Sequence, residues 1–136
     1  MRKLFCLCIV SFVAFGMAQP VLANKQISDR FKAKYADDKA DKDFKALVDE
    51  AKCNVCHVEK EDKKKVRNVY GKALHEALEK DKFPMAEFKK EPDKYADRLN
   101  EILKKLEGEK SADEKNKTFG DRMKAKLLPG GDKDGK

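Results

Sequence analysis

Two cysteines three positions apart with a histidine directly after the second, Cys53-Asn54-Val55-Cys56-His57, constrain this chain more than any other feature. The spacing suits two thiols that add across the two vinyl groups of one haem, with the next imidazole brought under the iron as proximal ligand. One covalently attached haem c is therefore the expected cofactor, carried by Cys53 and Cys56 with His57 on the iron. The same cysteine spacing also serves zinc sites and redox dithiols. Zinc would need two further donors, and the chain offers only His57, adjacent to Cys56, and the distant His75. A thioredoxin-like pair belongs at the start of a helix after a buried strand, whereas an amphipathic helical pattern precedes Cys53.

Met1-Arg2-Lys3 is a short basic start, residues 4–17 form an almost unbroken apolar run, and Pro20-Val21-Leu22-Ala23 presents small or apolar residues before a cut. This is the pattern of a secretory signal peptide over residues 1–23, with cleavage after Ala18 as the alternative to Ala23. The run is short for a membrane span and its downstream flank is polar, so no transmembrane segment is expected after cleavage. Cys6 and Cys8 leave with the signal; the two remaining cysteines both belong to the haem motif, and no structural disulfide is expected. Export and covalent haem attachment point to the same place, the bacterial periplasm.

In the full chain 42% of residues are charged and none is tryptophan, and the formal charge of +7 falls to +5 when Arg2 and Lys3 go with the signal. One small domain over residues 24–128 with a thin apolar core is expected, to which a haem buried among helices adds much of the missing apolar surface. Acidic residues are interleaved with the basic ones throughout, which argues against nucleic acid as a partner.

Apolar spacing is helical wherever it is readable, so the domain is expected to be all-α. Ser28 can cap a first helix carrying Phe31 and Tyr35, and Asp41 a second whose Phe44, Leu47, Val48 and Ala51 share a face and lead into Cys53. The spacing predicts a helix over 66–79 with Val69, Tyr70, Ala73, Leu74, Ala77 and Leu78 inward, interrupted by Gly71 where backbone could pass close to the haem. Phe83-Pro84 starts a short turn holding Met85 and Phe88, and Pro92 opens the strongest helix, with Tyr95, Leu99, Ile102, Leu103 and Leu106 in one stripe up to Gly108. Ser111-x-x-Glu114 has the form of a capping box, and Thr118 begins a last helix with Phe119, Met123 and Leu127 four apart. The polar residues 129–136 are expected to be a disordered tail.

The helix leading into Cys53-Asn54-Val55-Cys56-His57, the segment Arg67-Asn68-Val69-Tyr70-Gly71 and the later helices resemble, in order, a small bacterial monohaem cytochrome c of the class I type. The resemblance implies a cytochrome c-like helical domain wrapped around one haem and a methionine as the sixth iron ligand. It also departs from the family: no proline follows the motif as in the family's Pro-Asn-Leu-like stretch, and the 92–107 helix precedes the best-placed methionine. Met123 is the tentative distal ligand, with Met85 and His75 as alternatives. On a helical projection His75 falls beside Lys72 and Glu79, as a solvated histidine would. Lys60-Glu61-Asp62-Lys63-Lys64-Lys65 with Arg67 could ring an exposed haem edge and steer an acidic redox partner, and Arg67, Asn68 and Tyr70 could bond the haem propionates. The expected function is that of an exported one-electron carrier, not an enzyme. The alternative is a haem protein with an open or labile distal site that binds nitric oxide or carbon monoxide or reacts with peroxide.

Overall fold

The computed structural model describes residues 25–59 and 66–136, so the expected signal segment 1–23 and the lysine-rich run Lys60–Lys65 lie outside the described residues. Six α-helices account for most of the described chain: α1 (Lys25–Tyr35), α2 (Lys42–Ala51), α3 (Val69–Lys80), α4 (Met85–Phe88), α5 (Ala96–Leu106) and α6 (Phe119–Lys124). Among the described residues there is no strand, only two isolated bridges, His57 with Arg67 and Lys110 with Thr118. The all-α expectation stands. No helix of the described residues is long and apolar enough to cross a membrane.

α2 begins where its cap predicts: the Asp41 carboxylate accepts from the backbone N–H groups of Asp43 and Phe44, and Phe44, Val48 and Ala51 are buried. The helix ends at Lys52, whose φ of 50° turns the chain out of the α conformation and into a single 3-10 turn, Lys52–Val55, that carries the first part of the Cys53–His57 motif. α1 starts at Lys25, so Ser28 lies inside the helix instead of capping it. α3 starts three residues later than the predicted helix because 66–68 pair with the motif: Val58 N–H donates to the Val66 carbonyl and Asn68 N–H to that of Cys56. Val69 is consequently exposed.

The core centres on α5, which packs against α3 and α1. Leu99, Ile102, Leu103 and Leu106 are buried, as their i, i+3, i+4, i+7 spacing predicts. Pro92 opens a 3-10 turn, Asp93–Tyr95, before the α-helix proper. Tyr70 stacks edge-on between Phe31 and Phe119, with ring centroids at 5.8 and 5.1 Å, so α1, α3 and α6 share one aromatic cluster.

The capping box belongs to Thr118 and Asp121, which satisfy each other's backbone N–H at the start of α6; the Ser111 hydroxyl instead bonds the Asn116 carbonyl and accepts from Asp113 N–H, closing a loop. In that loop the Asn116 amide and the backbone N–H groups of Asn116 and Lys115, with Arg122 nearby, hold the Asp113 carboxyl at about 2. A folded value below the unfolded one stabilises the native state above the ordinary carboxylate range, and this contribution is lost as pH falls through about 2. Asp113→Asn is therefore expected to lower the melting temperature at pH 6 and to flatten its decline between pH 5 and pH 2, as read by circular dichroism.

α6 stops at Lys124, and at Lys126 the backbone turns through a φ of 62°, which shifts the register so that Leu128 is buried and Leu127 is exposed. Residues 129–136, expected to be disordered, are packed instead. Pro129 and Gly130 are buried, Asn54 Nδ2 donates to the Lys133 carbonyl at 3.1 Å, and Glu59 N–H donates to that of Asp134 at 2.9 Å. Polar composition misleads here because, beyond the buried Pro129, the segment is held by backbone hydrogen bonds and glycine close approaches.

Candidate functional site

Cys53, Cys56 and His57 line one cleft of about 350 Å³. Its walls are Ile27 and Phe31 of α1, Val55 of the motif, Gly71, Leu74, His75 and Leu78 of α3, and Met85 at the start of α4. Lys25, Lys32, Lys52 and Arg67 also line it, with Asp29 as the only carboxylate among the described residues. A roomier groove between α3 and α5, about 490 Å³, touches none of the motif residues.

The motif is held from α3. Asn68 Nδ2 donates to the carbonyls of Asn54 at 3.1 Å and Val55 at 3.0 Å, while its Oδ1 accepts from Gly71 N–H at 2.9 Å. One buried side chain thus caps α3 and clamps the two residues between the cysteines. Gly71 is required by the crossing: a Cβ at this position would collide with the Cys56 carbonyl. The close approach anticipated at Gly71 is therefore to the backbone of the motif.

His57 Nδ1 lies 3.2 Å from the Val66 carbonyl. A carbonyl can only accept, so the contact puts the proton on Nδ1 and leaves the Nε2 lone pair for a metal; an outer hydrogen bond of this kind is the usual way a ligating histidine is oriented. Burial also pushes the imidazole below its ordinary range, which keeps it neutral. The Cys56 thiol is pushed up to about 12, chiefly by burial and further by Cys53. Cys53 is exposed at the mouth. Among the described residues no three donors converge as a metal cage, so a metal bound through His57 would have to bring further donors with it. A haem does so, and its apolar macrocycle suits the cleft walls.

The other predicted site residues separate. Met85 lines the cleft, whereas Met123 does not; it is partly buried against the core. His75, expected to point away, lines the cleft, and its Nε2 pairs with Glu79 at 3.3 Å. Arg67 lines the cleft, but Asn68 is committed to the motif backbone, and the fully buried Tyr70 hydroxyl has no hydrogen-bond partner among the described residues and lies outside the cleft lining. Sequence reasoning missed the clamp role of Asn68, although an asparagine three residues before Gly71 at a helix start carries a capping signal. Comparison with protein-family models, with curated proteins and with solved structures found no match to this chain.

Proposed function

We propose that this chain is an exported, periplasmic, cytochrome c-like protein that carries one haem c on Cys53 and Cys56, with His57 as proximal iron ligand, and passes single electrons between redox partners. The observation that carries the reading is His57: its Nδ1–H is held by the Val66 carbonyl, its Nε2 is left to ligate, and both cysteines line the same apolar cleft. When bound, the haem supplies a one-electron couple; the chain's own part is to hold the imidazole in one tautomer and to keep water from the apolar walls. Lys25, Lys52 and Arg67 give the cleft a basic border that favours an acidic partner, through attraction that salt weakens.

Met85 is the better candidate for the distal ligand because it shares the cleft, and Met123 does not. Met85→Ala is expected to abolish the weak charge-transfer band at the red end of the ferric spectrum, lower the reduction potential and open the iron to carbon monoxide. Met123→Ala is expected to leave the spectrum unchanged and to cost about 2 kcal/mol through lost packing. Absorption spectra of both oxidation states, with and without carbon monoxide, check this. The reverse pattern would return the assignment to Met123.

One observation favours the second reading, a labile distal site for a small ligand or peroxide. His75 lines the cleft and is oriented by Glu79, a pair able to take and return a proton beside a bound molecule. Rapid carbon monoxide binding by the unaltered protein, with peroxide reactivity lost in His75→Ala, would select it.

A further inference from the structure

Residues 128–136 lie against the segment that carries Cys53, Cys56 and His57. Their backbone meets the motif at two points and the residues just after it at a third: the Lys133 carbonyl accepts from Asn54 Nδ2, Gly135, at a φ of 78°, sits so near the His57 carbonyl that a Cβ there would collide with it, and the Asp134 carbonyl accepts from Glu59 N–H. The segment is anchored from α6 by Arg122, whose guanidinium donates to the Leu128 carbonyl at 2.8 Å and the Gly131 carbonyl at 2.9 Å while pairing with Asp113 at 2.7 Å. A second tie joins Lys133 Nζ to Glu50 on α2 at 3.0 Å. The Arg122 and Asp113 side chains are 14% and 21% exposed, so the anchor is largely shielded from water.

We infer that residues 128–136 form a strap that fixes the orientation of His57, with Arg122 as a positioning residue acting on the motif through that strap. The inference rests on the haem reading of the motif. The Val66 carbonyl holds the His57 ring, and Gly135 of the strap packs against the backbone carbonyl of the same residue. Freedom at Gly135 would therefore reach His57 through its own backbone.

The test uses the full holoprotein and three variants, Gly135→Ala, Arg122→Ala and Arg122→Lys. Gly135→Ala and Arg122→Ala are expected to speed amide exchange at Glu59 by about tenfold, as local opening of the strap would. They are also expected to shift the ferric electron paramagnetic resonance spectrum, which reports the axial ligand's orientation, while helicity by circular dichroism stays unchanged. Arg122→Lys keeps the charge but cannot span both carbonyls, so an intermediate shift is expected. Variants that melt at lower temperature yet keep the unaltered resonance spectrum would overturn the inference, leaving the segment a stability element alone. If the purified protein carries no covalent haem the functional reading fails, and the exchange measurement still decides: unaltered protection at Glu59 in Gly135→Ala would remove the strap as well.

Discussion

Asn68→Ala is expected to be the most damaging single substitution outside the covalent site. The side chain supplies the α3 cap and, among the described residues, the side-chain donors to the Asn54 and Val55 carbonyls, and alanine leaves two inward-facing acceptors and one helix N–H without it. A lost cap costs about 1 kcal/mol and each buried acceptor left unpaired adds about 1 kcal/mol or more, so a loss of about 3 kcal/mol is expected. Urea unfolding should show it as a lower midpoint with an unchanged slope. Asn68→Asp, which keeps the cap acceptor but removes the amide donors, should recover only the cap's share. A cost below about 0.5 kcal/mol for Asn68→Ala, the range of an ordinary surface change, would mean that the clamp does not act as its geometry implies.

Much of the helical core was legible in the chain because its signals are local and periodic. Asp41 marked the start of α2, and the Leu99, Ile102, Leu103 and Leu106 stripe marked α5. The errors share a physical origin in contacts distant along the chain. Pairing of residues 66–68 with the motif delays α3, which no helical pattern in 66–79 announces. The spacing put Val69, Tyr70, Ala73, Leu74, Ala77 and Leu78 inward, and Tyr70, Leu74 and Leu78 are buried, yet the face that lines the cleft is Gly71, Leu74, His75 and Leu78, which adds the histidine placed beside Lys72 and Glu79. Glycine at the first of these positions hid the stripe, since a residue without a side chain adds nothing to an apolar pattern. The packing of residues 129–136 escaped for a related reason: Gly131 and Gly135 let backbone lie against backbone and Gly130 lets it lie against the Asn68 amide, and such contacts leave no trace in hydropathy.

Loss of both thiols is expected to have the larger effect on the fold as a whole. Cys53→Ser with Cys56→Ser should yield a chain without covalent haem, leaving the cleft walls of α1, α3 and Met85 without the group proposed to cover them. For a closed cavity of about 350 Å³ the loss would be on the order of 8 kcal/mol, and a cleft open to water loses less, on the order of 3–5 kcal/mol. That is a large part of the stability available to a small domain. α1 should release first, because Phe31 is its only buried residue, whereas α5 keeps the contacts of its buried stripe with α3. Circular dichroism and amide exchange would follow the release. Undiminished helicity and a cooperative melt in the double variant would show that the helices bury one another without a haem.

Every functional inference returns to Cys53, Cys56 and His57. The direct measurement is the intact mass of the protein purified from cells competent in cytochrome c maturation, taken before and after acid-acetone extraction. The expected mass is that of the processed polypeptide plus one haem, unchanged by extraction and reduced to the bare chain in Cys53→Ser with Cys56→Ser. A mass equal to the bare polypeptide in the unaltered protein would contradict the assignment of this cleft to a covalent haem.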